Sequence, residues 1–472
     1  MYFIRAVTKN FRSNIKQLLP GLDENPAYWS LFGYLAFGTN IDDKTNKLKL
    51  PYSTVAELAG KPSKFRNFIA RDYLNAFIRD VFPFEYTFWS KVRKTPRLVK
   101  NLQWPEKLQN LIEEESFSKL TIQEKVYLHN GRKISKQQEK KIWKEEQSKA
   151  NKFSTENLPK EEITLLKYMN NHPKRLFEKT KTNLLDASAE AINLEKDSQR
   201  QLNLLNNILV QSQPFYKPAR RSVRIFPSGG NILCLKKELR KILTRDWMEM
   251  DLKSAQLAIC TILMPLPKVK EFLENGGNIW THLFDWLNVE KTPDNKWIIK
   301  KTLYSLIFGA TRKTLKRTLS ELGEEVYPKF MENPLIEELI KKRDSKFREI
   351  RKKKGATDCF GRFIPCKDNK DKRSVLSQLA QSYELKLIFP AVKYALGQQH
   401  RFRIALWQHD GFSVVVFDKT RIRNIQSTIE YLVKCEASEL GIPTKLETTF
   451  NDDQKPLPAC EETMRELGNN LR

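Results

Sequence analysis

The sequence predicts an α+β fold, on three observations. Helical periodicities, aromatic at first and then heavily charged, fill roughly the first 210 positions. From Arg220 onward, apolar strand-like runs alternate with amphipathic helices. Two β-rich runs, Arg403 to Gln408 and Phe412 to Phe417, flank a tight His409-Asp410-Gly411, the pattern of a β-hairpin. The chain has 472 residues, room for about three domains at roughly 150 residues each and for a sizeable core.

In chain order, residues 1–115 mix aromatic-rich helical patterns with Pro-marked turns such as Leu19-Pro20-Gly21. Within them, Ser53 to Phe77 reads as two short helices around Gly60. Such a pair is far more often plain core than a DNA-reading helix-turn-helix. Residues 116–210 are strongly charged and helical in pattern, and the Lys/Glu stretch around Lys136 to Lys149 fits a solvated face. The character changes near Pro214, and the residues that carry chemistry all follow it.

Composition limits the partners. The 40% apolar content, with 27 Phe and 9 Trp, excludes a disordered chain. Lys and Arg number 83 against 56 Asp and Glu, a net charge of +27. That balance points to a polyanion, nucleic acid first and an anionic membrane surface second. No apolar run approaches the roughly 18 residues of a membrane-spanning helix, so an integral membrane protein is not expected. Cys234, Cys260, Cys359, Cys366, Cys435 and Cys460 contain no CxxC pair. They argue against a disulfide scaffold or zinc ribbon and for an intracellular protein with reduced thiols, cytoplasmic or organellar. Arg5, Lys9, Arg12 and Lys16 precede the first carboxylate, Asp23. That basic start lacks a signal-peptide apolar stretch and fits a transit peptide or a plain basic helix alike.

Two aspartates are the first candidates. Trp247-Met248-Glu249-Met250 ends in Asp251 and runs into the helical pattern Ala255, Leu257, Ala258, Ile259. Asp251 at a strand end and Asp410 at a hairpin tip both project carboxylates from a sheet edge. Two such groups can hold two divalent cations, which activate an attacking oxygen and stabilise a leaving phosphate oxygen. Singly, each is a common cap or turn former. In Asn295 to Gly309, Pro293 and Asn295 supply helix-start signals and Gly309 a stop. Lys296, Lys300, Tyr304 and Phe308 recur every four residues along one drifting stripe. Two cations followed by two aromatics suit a triphosphate and then a sugar and base. The stripe equally fits a surface helix with Lys outward and aromatics inward. Arg373, Ser377 and Gln381 repeat the spacing and can follow a nucleic-acid backbone or minor groove, or form an ordinary polar face.

The order of these elements, from about Arg220 to Val416, resembles the polymerase domain of the DNA polymerase I family (family A). MEMDLKSAQLAI is similar to the family's first carboxylate motif and WQHDGFSVV to its second. KWIIKKTLYSLIFG is similar to the nucleotide-binding fingers helix, normally RxxxKxxxxxxxYG. Gly276-Gly277-Asn278-Ile279 resembles the glycine-led start of the fingers, and Gly361-Arg362-Phe363-Ile364-Pro365 the GRRRxLP stretch. RSVLSQLAQSYELKLI resembles the helix that holds the primer-template. The resemblance covers somewhat under half the chain.

It implies a right-handed palm/fingers/thumb polymerase. Residues 1–115 would be a helical accessory region and 116–213 a thumb-like helical region. The palm would comprise 214–263 and 359–472, with fingers at 264–358. The implied activity is template-directed extension of a primer 3′-hydroxyl with dNTPs, with primer-template DNA as partner and no membrane. Two Mg2+ ions, replaceable by Mn2+, would be held by Asp251, the Leu252 carbonyl and Asp410. Arg240, Gln256, Lys296, Lys300, Tyr304 and Phe308 would bind the nucleotide. Arg224, Arg373, Ser377, Gln381 and His409 would bind primer-template. A processivity or replication partner is not identified by the sequence.

Departures from the family pattern accompany the resemblance. Gly411 replaces a glutamate after the second aspartate, Lys296 an arginine, Trp280 a histidine (with His282 two residues on) and Ser377 an asparagine. Gln256 and Phe308 replace a Glu and a Tyr that crowd the 2′ position of the nucleotide. An uncharged Gln without a supporting hydroxyl predicts softer exclusion of ribonucleotides, unless its bulk alone suffices. No acidic DxE exonuclease motif occurs in residues 1–210, so proofreading is not expected. A single-subunit RNA polymerase and a catalytically silent nucleic-acid-binding protein are the alternatives; Tyr304, where an RNA polymerase would carry Met, favours DNA. The Lys341 to Lys354 run is either a DNA-contacting segment or a solvated helix.

Overall fold

A computed structural model describes residues 4–37, 41–42, 47–48, 55, 68–81, 106–118, 125–129, 132–133, 135–195, 197–219, 221–368 and 371–451. Arg220, Cys460 and most of the Ser53 to Phe77 segment, Gly60 included, lie outside these residues. The chain is a mixed helix-and-sheet protein. No helix among the described residues is long and apolar enough to cross a membrane.

The N-terminal part contains β1 (Ile4–Thr8), α1 (Lys9–Leu18), α2 (Pro26–Phe37), the short strands β2 (Ile41–Asp42) and β3 (Lys47–Leu48), α3 (Phe68–Val81), α4 (Glu106–Ser118), β4 (Lys125–His129) and β5 (Arg132–Lys133). It has its own core around Phe11, Ile15, Leu31, Phe32 and Phe77. Helices α5 (Lys136–Ala150), α6 (Lys160–Asn170), α7 (Leu184–Ile192) and α8 (Ser198–Val210) follow; the stretch expected to be helical from residue 116 onward is helical only after β4 and β5, whose pairing with each other and with distant β1 no local pattern shows. Ser135 starts α5 with a capping box, exchanging bonds with Gln138.

The part that positions the candidate residues begins with the hairpin β6 (Phe215–Pro218) and β7 (Ile225–Ser228). Buried Tyr216 pins it: its N–H donates to Asn170 Oδ1 at 2.7 Å, and its hydroxyl accepts from the Trp407 N–H at 3.0 Å. Then come α9 (Lys237–Leu243), β8 (Met248–Leu252) and α10 (Ala255–Leu263). A run of helices follows, α11 (Pro267–Glu274), α12 (Ile279–Leu287), α13 (Pro293–Ile307), α14 (Arg312–Leu319), α15 (Val326–Glu332) and α16 (Pro334–Lys352). The chain continues through β9 (Gly355–Thr357), β10 (Phe363–Pro365), the long α17 (Asp371–Gly397), β11 (Phe402–Trp407), β12 (Gly411–Val416), α18 (Ile422–Glu439) and β13 (Leu446–Phe450).

A four-stranded antiparallel sheet, order β11-β12-β8-β13, is the frame of the site. In β8, Met248, Met250 and Leu252 alternate into the main core while Glu249 and Asp251 point to the other face. This register sets Asp251 opposite Gly411 on β12 and opposite Glu447 on β13. The predicted hairpin is therefore present, and Asp410 lies in its turn.

Candidate active site

The turn between β11 and β12 is tight. The Gln408 N–H donates to the Gly411 carbonyl at 2.8 Å, the Asp410 N–H to the Gln408 carbonyl at 3.1 Å, and His409 takes a left-handed φ of 76°. A side chain in that region is strained, and here it is the residue that aims Asp410 back across the sheet. The Leu252 N–H donates to the Asp410 carbonyl at 2.9 Å, locking the turn to the end of β8. A Cβ on Gly411 would lie 2.2 Å from Asp251 Oδ1 and 2.7 Å from the Met250 carbonyl oxygen. The missing glutamate after Asp410 thus has a steric reason, because the Asp251 carboxylate fills that space.

Among the described residues, neither Asp251 nor Asp410 makes a side-chain hydrogen bond or ion pair. The Asp251 side chain remains open to solvent, yet the protein crowding it and the facing Asp410 push its pKa up to about 7; Lys300 and Lys237 oppose the rise and Glu249 adds to it. Two carboxylates that repel each other without a protein cation between them are suited to a hard divalent cation. Among the described residues, no group of three or more His, Cys, Asp or Glu is placed to hold a metal. Glu249 lies instead 3.5 Å from Arg240 Nε of α9.

Helix α13 carries the cationic stripe. Thr292 caps it, its hydroxyl accepting from the Asn295 N–H at 3.2 Å, and Pro293 occupies the first turn, so of the two start signals in the sequence Pro293 is the one at the helix start. Gly309 ends it with φ of 84°. Tyr304 packs edge-on to Trp280 at 5.9 Å, and Lys300 Nζ lies 5.7 Å from the Tyr304 ring. Burial raises the Tyr304 pKa, and the fields of Asp410, Glu384 and Asp251 raise it further, which puts this tyrosine beside the carboxylates. Lys296 is exposed one turn earlier, while Phe308 packs against the core. His282 faces elsewhere, its Nε2 2.9 Å from Asn333 Nδ2.

On α17, Gln381 Nε2 donates to Ser377 Oγ at 3.0 Å, and Arg373 is exposed beside Gly309. The predicted row exists and runs past the end of α13. The structure departs from expectation at its next turn. Leu376, Ala380, Glu384 and Ile388 form a buried stripe, and Glu384 is only 1% exposed. Its carboxylate accepts from Arg224 Nε at 3.1 Å and from Arg224 Nη2 at 3.0 and 2.7 Å, and also from Gln256 Nε2. Arg224, expected at a primer end, is thus paired internally. Gln256, expected to lack support, is held by a carboxylate. Burial pushes the Glu384 pKa up to about 7, against the pull of Arg224. His409 rests on Phe226 at 4.9 Å; burial and then Arg224 push its pKa down to about 4, so it is neutral near pH 7.

Glu384, Lys237 and Glu249 escaped the sequence analysis. The one available signal was an acid in an otherwise apolar i, i+4 series on α17.

The fold and site define a mixed helix-and-sheet protein with an open carboxylate pair between strands, faced by a Lys/Tyr helix. No protein-family model matches the chain, and no curated protein matches it. Among solved structures it is similar to the polymerase domain of Pol1 from M. smegmatis in complex with DNA primer-template and dNTP. The TM-score is 0.41 and the sequence identity 16%, and the match covers 67% of this chain and 66% of that chain, just under two thirds of it.

Proposed function

We propose that the chain is a template-directed DNA polymerase of the palm/fingers/thumb type, without proofreading, that adds dNTPs to a primer 3′-hydroxyl and releases pyrophosphate. What supports this reading above all is the juxtaposition of Asp251, at the end of β8, and Asp410, in the β11–β12 turn bonded to Leu252, beside Lys300 and Tyr304 of α13. Asp251, Asp410 and the Leu252 carbonyl would hold two Mg2+ or Mn2+ ions, which supply charge stabilisation to the phosphoryl transfer and activation of the hydroxyl. Lys300 and the more exposed Lys296 neutralise the triphosphate, and Lys237 and Arg240 extend that positive rim. Tyr304 and Phe308 border the sugar and base, and Gln256 lies at the sugar. Neutral His409 offers a hydrogen bond, not a charge, at the primer end. The Arg373, Ser377, Gln381 row tracks primer-template.

Primer extension with dNTPs, with rNTPs and without nucleotide tests this reading; no dNTP extension overturns it, and extension with rNTPs alone selects the RNA-polymerase alternative. Asp251→Ala and Asp410→Ala should each lower extension roughly a thousandfold or more, because cation ligands act on the chemical step. DNA affinity, carried by dispersed Lys/Arg contacts, should change by less than about threefold. Substantial activity in either variant removes that residue from the site.

A further inference from the structure

Glu384 is the meeting point of three chain segments. Arg224 comes from the residue before β7, Gln256 from the first turn of α10 and Glu384 from the middle of α17. Arg224 spends Nε and Nη2 on the carboxylate, and Gln256 spends its amide N–H there. The carboxylate pair is next door. The field of Asp410 reaches Glu384, that of Arg224 reaches His409, and Tyr304 feels Glu384, Asp410 and Asp251 together.

A half-buried guanidinium needs an anion. Phe226, two residues after Arg224, packs on His409 beside Asp410, and Gln256 follows Asp251 by five residues, so these aspartates are the anions that Arg224 and the Gln256 amide would compete for if Glu384 were lost. A guanidinium bonded to a carboxylate occupies its lone pairs and cancels the charge that a divalent cation requires. As a stability device the buried pair is a poor choice, since well-packed apolar residues serve about as well. As a means of keeping a cation off an acidic site it has a specific use.

We propose that Glu384 is a positioning residue that holds Arg224 and Gln256 away from Asp251 and Asp410, so that the aspartate pair stays available to divalent cations. This rests on the reading of those aspartates as a cation site, within the function proposed above. It concerns how the site is kept open, not the transfer step.

The test is Mn2+ binding, followed by the loss of the free-ion electron paramagnetic resonance signal, in the full-length protein without DNA or nucleotide. Asp251→Ala should remove the tightest site. The isosteric Glu384→Gln should weaken that site roughly tenfold, the weight of about one charged hydrogen bond transferred to an aspartate. Adding Arg224→Gln to Glu384→Gln should restore the affinity to within about threefold of wild type, since the competing cation is gone. Arg224→Gln alone should bind Mn2+ at least as tightly as wild type. Unchanged affinity in Glu384→Gln overturns the proposal. So does a double variant as weak as the single one, which would mean lost packing, or weakened binding in Arg224→Gln alone. Equal binding by wild type and Asp251→Ala overturns the cation site and the proposal together. Wild type that binds Mn2+ in this pattern but extends no primer overturns the polymerase reading and leaves the role of Glu384 standing.

Discussion

Glu162, in the first turn of α6, is fully buried, and neither of its carboxylate oxygens has a hydrogen-bond partner among the described residues. Burial pushes its pKa from 4.5 to about 8, opposed by Arg362 and assisted by Asp358. Because the folded pKa lies above the unfolded one, the folded state keeps a proton that the unfolded chain releases. Stability from this group is complete below about pH 4.5 and falls, by up to about 1.4 kcal/mol per pH unit, until about pH 8. Glu162→Leu should therefore stabilise the protein most at alkaline pH and flatten this part of its pH dependence. Urea unfolding at about pH 5 and pH 8.5 checks this; parallel changes in wild type and variant would contradict it. Gln256 yields a second residue-scale expectation. Its amide donates to Glu384, so Gln256→Glu would set two carboxylates against each other. That variant should lose about 1–3 kcal/mol, the cost of a buried group without its bond, and lose more at pH 8 than at pH 6. Equal unfolding midpoints for variant and wild type at pH 8 would count against the Gln256–Glu384 contact.

At the scale of elements, the β8–β12 register decides the site. Gly411→Ala should push the Asp251 carboxylate aside or open the strand pair, lowering extension by at least about tenfold with little change in DNA affinity. A fully active alanine variant would mean the close approach is relaxed in solution. The hairpin and the caps of α13 were legible because their causes are local: alternation, a tight turn, Pro293 and Gly309. The Gln256–Glu384 and Arg224–Glu384 contacts join positions 128 and 160 residues apart, and local pattern carries no trace of such a pairing. The Lys341 to Lys354 run shows the same limit. It lies largely on α16, where buried Arg343 donates to the Leu306 carbonyl at 2.8 Å and Lys346 and Lys353 pair with Glu349. Three of its cations thus serve the helix and its neighbour α13, which favours the solvated-helix alternative for that part of the run.

For the whole molecule, the net charge of +27 remains the main determinant of encounter with a polyanion. Duplex DNA binding should be largely indifferent to sequence and weaken by about a hundredfold or more between roughly 50 and 200 mM salt, as released counterions demand. Fluorescence anisotropy over that range checks it, and a flat response would mean phosphate contacts are few. The mixed helix-and-sheet class was legible from the change of pattern after Pro214, since alternation and helical periodicity are visible in any window. Residues 1–115 were set apart in the sequence, but which of their side chains form the core was not legible, because Phe11, Leu31 and Phe77 come together only through packing of distant helices.

The seat opposite Asp251 also limits how this site can be re-engineered. Grafting a further carboxylate at position 411 would force both the Asp251 carboxylate and the Met250 carbonyl to shift, because a Cβ there would lie 2.2 and 2.7 Å from them. The other flank of β8 is where a designer would work: Glu447 stands opposite Asp251 on β13 and is drawn 3.6 Å from Lys253 Nζ. Releasing Glu447 from that lysine is a smaller alteration than rebuilding a turn. The two strands beside β8 therefore differ as templates, one sterically crowded and the other restrained by a partly exposed ion pair.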